Sequence, residues 1–346
     1  MFPNQTARIT GVADRGAAQL SQMIKGYWVS QIVGTLAQLE IADHLAHGPL
    51  DCNVLADGIR CEPKATSRLL LASVDVGLVS LLPDGRFGLT PLGELLRSNV
   101  PGSMRNPAIA LTAPGHWLPW GRLAEAVRQG ERQTVAALGH ELFDYYATKP
   151  SEGSAFTGTM ANHSDAIAKE IAQVLDTSAV THVVDIGGAS GTIIGALLEA
   201  NPALFGTILE RADVVPRAEA ALVQRGLSSR CRAVEGDFFE NVPEADLYIL
   251  KSIVHDWDDQ QSIKILCNCA RALRPNGRVI LIERAMPEHG KPGAAALSDL
   301  NMLVLLPGRE RTASQFEELF RASGLRLDRI TGIASSMQVI EASPAA

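Results

Sequence analysis

Histidine is the side chain whose ordinary pKa lies nearest neutrality, so its surroundings decide whether it can move protons. His255 stands in the stretch ILKSIVHDWDDQQSIKIL, just past an apolar run with the look of a buried strand. Glu283 closes a second such run, VILIER, and Glu310 lies in the loop PGRERT. If those runs are neighbouring parallel strands, all three residues reach one edge of a sheet. One or both carboxylates can then hold the imidazole in a fixed orientation and favour its protonated form. Plainer readings exist: a structural histidine, and glutamates in surface ion pairs with Arg284, Arg309 or Arg311. Asp256 and Asp258 suit the cap of the helix that follows, and Trp257 suits packing against the sheet.

A second constellation is THVVDIGGASGTIIGALLEAN, residues 181–201. Val183, Val184 and Ile186 read as a buried parallel strand. Gly187, Gly188 and Gly191 make an abrupt turn, and Ile193, Ile194, Leu197 and Leu198 recur at helical spacing. Strand, glycine turn and helix form a nucleotide-type cofactor site, where main chain and free helix N–H groups meet the ligand. The dinucleotide pattern G-x-G-x-x-G is not met, because Ala189 takes the middle position. Asp185, two places before the first glycine, would repel a pyrophosphate. It suits a ligand with positive groups and no phosphate, and S-adenosylmethionine is such a molecule. Glu210, at the end of the next strand, can accept both ribose hydroxyls. In VEGDFF, Asp237 can accept an exocyclic amine and Phe238 can cover an adenine ring. The alternatives are a solvated strand-end glutamate, a turn aspartate and a core phenylalanine.

These residues need elements to position them. From residue 181 the pattern alternates: strands near 182–186, 206–210, 231–235, 246–251 and 278–283, helices near 192–200, 214–226, 259–273 and 312–323. Asn276-Gly277 is the turn before the fifth strand, and Thr312 with Gln315 forms a capping box with Gly324 as the stop. Strands near 325–331 and 336–342 are joined too closely for a crossover helix, so this last pair is antiparallel. The expected fold is α/β, a Rossmann-like doubly wound sheet with a C-terminal antiparallel hairpin and its ligand at the carboxyl ends of the strands.

Ahead of the sheet the chain is mostly helical. Residues 1–12 read as a frayed terminus. Residues 14–45 are helical, with Leu20, Ile24, Trp28, Ile32, Leu36, Leu39 and Leu45 giving an apolar face that calls for another domain or subunit. Pro63 opens a helix, and Pro83-Asp84-Gly85 turns a hairpin between 78–82 and 86–89. Helices and a β-wing suggest a winged-helix shape. Residues 51–100 hold six acidic and five basic residues, too balanced for a phosphate-binding face. Residues 101–180 concentrate aromatic side chains, including Trp117, Trp120, Phe143, Tyr145, Tyr146, Phe156 and Met160 beside them, as helix packing or one wall of a pocket for a flat apolar substrate.

The net charge of −7 over 346 residues disfavours general nucleic-acid binding. No apolar run reaches the ~20 residues of a membrane span, and MFPNQTARIT lacks a secretory layout, so a cytoplasmic location is expected. The five cysteines match no zinc spacing or disulfide framework. No acidic ligand cluster is evident, so no metal is expected.

Taken together, Asp185-Ile186-Gly187-Gly188-Ala189-Ser190-Gly191, Gly236-Asp237-Phe238, Leu250-Lys251 with His255-Asp256-Trp257, and Gly308-Arg309-Glu310-Arg311-Thr312 resemble the class I S-adenosylmethionine-dependent small-molecule O-methyltransferases of the caffeic acid and bacterial secondary-metabolite type. The resemblance spans nearly the whole chain. It implies a winged-helix-like homodimerisation domain over 1–105, a helical linker contributing to the pocket over 106–180, and a cofactor-binding catalytic domain over 181–346. It implies His255 as base with Glu283 and Glu310 flanking it, and Lys251 beside the cofactor. Phe156 and Met160 match the family's F-x-x-x-M segment, which brings Ser164 to the methionine carboxylate of the cofactor. Trp117, Trp120, Phe156, Met160, Asp256, Met302 and Leu306 are the expected pocket residues. Ala189 and Glu210 depart from the glycine and aspartate of many members.

The expected activity is methyl transfer to a phenolic or enolic hydroxyl of an aromatic small molecule. A phenol pKa of ~10 against ~6.5 for free histidine makes full prior deprotonation cost about 4.8 kcal/mol, which transfer concerted with methylation lowers. The alternatives are a cofactor-binding relative that decarboxylates, hydroxylates or cyclises, an NAD-dependent oxidoreductase, and a transcription regulator. Asp185 counts against the oxidoreductase and the missing basic recognition helix against the regulator.

Overall fold

The computed structural model describes residues 16–290, 293–333 and 336–345. The expected frayed terminus at 1–12 and the first two residues of the 14–45 helical run lie outside them. The chain forms two compact units that meet in sequence at Ala113 and Pro114.

In the first unit the 14–45 run is not one helix. Residues 16–24 are helical, Gly26–Gln38 follows a turn at Lys25, and Ile41–Leu45 follows Glu40, whose φ of 56° breaks the helix. Helices Cys52–Gly58 and Pro63–Asp75 come next, capped by the Asp51 and Glu62 side chains. Strands β1 (Val79–Leu81) and β2 (Phe87–Leu89) form the expected hairpin. Leu36, Ile41, Leu45, Leu55, Leu70, Val79 and Phe87 fill a small core. The first helices leave Leu20, Met23, Ile24, Tyr27, Trp28 and Val29 exposed.

The second unit holds, among the described residues, a seven-stranded sheet. Its strands are β3 (His182–Ile186), β4 (Phe205–Glu210), β5 (Cys231–Glu235), β6 (Ala245–Lys251), β7 (Leu273–Glu283), β10 (Leu325–Gly332) and β11 (Gln338–Pro344). A short parallel pair, β8 (Ala285–Met286) with β9 (Arg311–Thr312), stands apart from it. The order β10-β11-β7-β6-β3-β4-β5 places the reversal between β3 and β6. β11 runs antiparallel to both β7 and β10, as the short connection required.

Alternation along the strands explains burial on both faces. Val183, Leu247, Ile249, Ile280 and Ile282 point into the layer that includes the helices Pro150–Val174 and Thr192–Ala200. Val184, Tyr248, Leu250, Val279 and Leu281 point into the other, with the helices Asp259–Ala272 and Ala313–Ala322. Each aliphatic side chain so buried contributes about 1.5–3 kcal/mol, which fixes strand register and the positions of the strand ends.

Two expectations change. β7 begins at Leu273 rather than 278, because the Asn276-Gly277 turn is a bulge inside it: Asn276 has φ 65° and the register against β6 jumps there. A helix at Gly293–Leu305 was not anticipated. Its residues are mostly apolar, and its polar ones, Ser298, Asp299 and Asn301, cluster in the middle without marking out a clear helical face. The capping box of Thr312 and Gln315 is present on both sides.

Candidate active site

β3, β6 and β7 all run parallel and end at the same edge, with Lys251 paired to Ile282 in the register. That register delivers Asp185, Lys251 and Glu283 to neighbouring strand ends. Beyond β6 the chain turns through Ser252 (φ 55°) into the short 3-10 turn Val254–Asp256, which carries His255.

His255 meets both glutamates. Its Nδ1 lies 3.1 Å from Glu310 Oε1 and 3.6 Å from Glu283 Oε2. Both glutamate side chains are fully buried, which excludes the surface ion-pair reading. Arg309 and Arg311 bond Asp259 instead. Glu283 Oε1 accepts from the backbone N–H of Ile253 and Val254 at 3.1 and 2.9 Å, so the carboxylate also holds the turn. Glu310 Oε1 accepts from Ser298 Oγ at 2.6 Å, and the Glu310 N–H donates to Asp299. Asp258 caps the next helix as expected, but Asp256 does not: its Oδ1 lies 3.3 Å from His255 Nε2.

Burial by itself would lower the histidine pKa, but Glu283, Asp256 and Glu310 outweigh it and push His255 up to about 10. Burial pushes Asp256 up to about 7 and raises Glu283 as well. Among the described residues, Glu283 Oε2 and Glu310 Oε2 have no hydrogen-bond partner, although Glu283 Oε2 faces the imidazole at 3.6 Å. The expectation of no acidic ligand cluster is therefore corrected. His255, Glu283 and Glu310 bring donor atoms within 4.8 Å of one another, close enough to hold a metal ion. The 3.1 Å contact to an oxygen that already accepts from Ser298 has the form of a hydrogen-bonded proton store.

The glycine loop lies beside this cluster. Asp185 is 2% exposed, and its Oδ2 has no partner. Burial, then the charge of Glu210, pushes its pKa up to about 7. A Cβ on Gly188 would stand 2.6 Å from Asp185 Oδ2, so the bare main chain leaves that carboxylate room. Ala189 takes a left-handed φ of 51°, and its N–H donates to Glu210 Oε1 at 2.9 Å. Buried acids with an unused acceptor, under a glycine turn and next to a helix start, fit a ligand rich in hydroxyl and ammonium donors. Lys251 has its pKa lowered by burial, against the opposing pull of Glu283, Asp256 and Asp185. Asp237 is exposed and caps Phe239 N, while Phe238 packs on Phe239 and Trp257. Ser164 is buried on the helix Pro150–Val174, its Oγ on Met160 O.

Among the expected pocket residues, Trp120, Phe156, Met302 and Leu306 share one apolar cluster, and Trp120 Nε1 donates to Asn301 Oδ1 at 2.8 Å. Trp117 and Met160 are half-buried outside that cluster. His116 carries no sequence signal, yet it is buried beside Phe156 with its Nδ1 2.8 Å from Tyr146 Oη. Burial lowers its pKa to about 4, so it is neutral. A lone histidine in an apolar helix carries no signal of that partner. Asp259 and Ser298 were also missed, and Arg311 was weighed only as a glutamate's partner.

An O-methyltransferase dimerisation domain model matches residues 21–99, and an O-methyltransferase domain model matches residues 120–326. The phenazine O-methyltransferase PhzM of Lysobacter antibioticus is 37% identical over 95% of this chain and 98% of its own length. The mitomycin biosynthesis 6-O-methyltransferase of Streptomyces lavendulae is 34% identical over 95% of each chain. The solved structure of NcsB1, an O-methyltransferase from neocarzinostatin biosynthesis in complex with S-adenosylmethionine and 2-hydroxy-5-methyl naphthoic acid, superposes with a TM-score of 0.82. It is 31% identical over 92% of this chain and 96% of its own. All three are methyltransferases, which does not favour the decarboxylating, hydroxylating or cyclising alternative. With one model in each unit and relatives aligned nearly end to end, the chain belongs to the S-adenosylmethionine-dependent O-methyltransferases.

Proposed function

We propose that this enzyme methylates a phenolic or enolic hydroxyl on a flat aromatic secondary metabolite, with His255 as the general base. The observation that carries the reading is the Nδ1 of His255, 3.1 Å from Glu310 and 3.6 Å from Glu283 at the edge that also bears the glycine turn. By name, one relative is a phenazine O-methyltransferase and another a 6-O-methyltransferase of mitomycin biosynthesis, and NcsB1 was solved with a naphthoic acid.

Asp185, Gly187, Gly188, Gly191, Glu210, Asp237, Phe238, Lys251 and Ser164 would hold the cofactor, with Asp185 Oδ2 and Glu210 as its acceptors. Bound there, S-adenosylmethionine supplies a methyl group already activated by its sulfonium. The protein has two tasks left: aligning an acceptor oxygen and removing its proton. Glu310 and Glu283 fix Nδ1 and stabilise the imidazolium, so Nε2 is the nitrogen that takes the proton. Asp256, 3.3 Å from Nε2, can share it. An imidazole pKa of about 10 changes the energetics. Transfer from a phenol of pKa ~10 to the neutral ring is nearly balanced, and the cost becomes that of keeping the ring neutral, about 4 kcal/mol at pH 7. An aliphatic alcohol would add its own, much larger, deprotonation cost.

Trp117, Trp120, Phe156, Met160, Met302 and Leu306 line the acceptor pocket in this reading. Residues 1–105, 106–180 and 181–346 serve as dimerisation domain, pocket-lining linker and catalytic domain. The exposed apolar residues from Leu20 to Val29 form the homodimer contact, in keeping with the dimerisation model over 21–99. All five cysteines are free, in keeping with a cytoplasmic seat.

The test is transfer of a labelled methyl group to a panel of phenols, naphthols and hydroxyphenazines, with the product located by NMR. Methylation at an aromatic hydroxyl is expected. Cofactor binding without transfer to any panel member, or N-methylation alone, would contradict the proposal.

A further inference from the structure

We infer that Arg311 is a positioning residue for His255, acting through the backbone of the turn that carries it. The inference rests on the reading of His255 as the base. Arg311 is fully buried. Its Nη1 donates to Val254 O and its Nη2 to Trp257 O, each at 2.8 Å. Those two carbonyls bracket His255 in the chain. Nε and Nη2 also donate to Asp259 Oδ1 at 3.0 and 2.8 Å, and Nη2 reaches Ser262 Oγ at 3.3 Å. The single O–H of Ser262 is within reach of the same two carbonyls, at 3.2 and 3.3 Å, and can donate to either.

The turn needs such help. Val254–Asp256 is a single 3-10 turn whose closing bond, Trp257 N to Val254 O, is 3.4 Å long. A turn that short has little stiffness of its own. A guanidinium presents its donors in one rigid plane, so bonding two carbonyls fixes their separation and the direction of the Cα–Cβ bond between them. The flexible ammonium of lysine would fix neither.

The segment that supplies Arg311 also supplies Glu310. β9 pairs Arg311 with Ala285, two residues past Glu283. The same register thereby delivers both carboxylates to the ring and the guanidinium to the main chain beneath it. Gly308 closes the arrangement: a Cβ there would collide with the carbonyl oxygen of His255 and stand 2.5 Å from Trp257 N. Asp259 lowers the cost of burying the charge, since its own pKa is held down by Arg311 despite partial burial. Among the described residues no hydrogen bond joins Arg311 to the imidazole ring, and its full burial keeps it from an acceptor. Its effect on the reaction must pass through the place of His255.

The experiment is single-turnover methyl transfer by the full-length enzyme as wild type, Arg311→Met, His255→Ala and the double variant, with cofactor binding measured in each. Arg311→Met is expected to lower kcat about 10–100-fold, the cost of a base displaced by an ångström or so. The cofactor Kd and the acceptor KM should stay within about twofold. In the His255→Ala background the same change should lower the residual rate by less than about threefold, because the base it positions is gone. An equal fractional loss in both backgrounds overturns the inference. A His255→Ala enzyme with undiminished turnover refutes the base reading instead. If Arg311→Met does not bind cofactor, Arg311→Lys, which keeps the charge and loses the planar fork, is carried through the same cycle with the same two readings. Asp259→Asn keeps both carbonyl bonds and is expected to cost less than about fivefold in kcat; a loss as large as that of Arg311→Met would likewise overturn the assignment.

Discussion

The glycine turn and the His255 turn stand on adjacent strands and bury carboxylates to the same degree, yet the two regions settle that burial in opposite ways. At the glycine turn, among the described residues, Asp185 has no ion-pair contact, one oxygen lacks a hydrogen bond, and burial with the charge of Glu210 outweighs the pull of Lys251 and raises its pKa to about 7. At the His255 turn, Glu283 and Glu310 also keep an oxygen without a hydrogen bond among the described residues, but an imidazole sits between them, within ion-pair reach of both, and its pKa rises to about 10. The first region is incomplete until a ligand brings donors. The second carries its own counter-charge, an imidazole within reach of both carboxylates. The proposed roles, a binder of an activated cofactor and a base for its acceptor, ask for that division: one site keeps a buried acceptor for its ligand, and the other is preorganised to move charge.

Variants can break that comparison. The largest effect is expected at the second region. His255→Ala should lower turnover ~10²–10⁴-fold with the cofactor Kd unchanged, seen in single-turnover and calorimetric measurements. Asp185→Asn should do the reverse. Removing the unmet charge should weaken cofactor binding about 10–100-fold, as loss of a charge-assisted hydrogen bond does. It should also stabilise the cofactor-free protein. The native pKa of Asp185 lies above its unfolded value, so its favourable contribution is full below pH ~3.8 and lost as pH rises through about 7. The asparagine variant escapes that loss, worth on the order of 4 kcal/mol above pH 7, and its thermal midpoint should rise accordingly.

Smaller effects sharpen the outline. Aspartate at Ile24 and Trp28, which are 65% and 52% exposed, should convert the enzyme from dimer to monomer in light scattering. Ala189→Gly should relieve a left-handed alanine and raise stability by up to about 1 kcal/mol in chemical denaturation, less the entropy a glycine adds to the unfolded chain.

The first region was legible in the sequence because it is contiguous. A β-branched run, three glycines and a helical period lie within residues 181–201, and Asp185 is inside them. The second was legible only in part. His255, Glu283 and Glu310 come from three segments that strand order brings together, and the fixed direction of parallel strand ends makes that juxtaposition readable from the sequence. Arg311 had no comparable signal. Its partners are backbone carbonyls at residues 254 and 257, and main-chain acceptors leave no trace in residue type. Asp256 misled for a related reason. An aspartate before a helix looks like a cap, but Asp258 takes that role and frees Asp256 for His255. The helix Gly293–Leu305 escaped because its polar residues, Ser298, Asp299 and Asn301, sit together and leave no clear apolar face at helical spacing.

The central claim is that His255 takes the acceptor's proton and that Glu283 and Glu310 set its affinity for it. The pH dependence of single-turnover methyl transfer tests this most directly. A base must be neutral to act, so the rate should rise with pH along a limb reaching well above 6.5, toward about 10. The acceptor's own ionisation could give a limb near the same pH, so the decisive comparison is with Glu310→Gln. Removing that carboxylate lowers the histidine pKa, and the limb should move to lower pH while a limb due to the acceptor would stay. A limb that is unmoved in Glu310→Gln, or that survives unchanged in His255→Ala, would contradict the account.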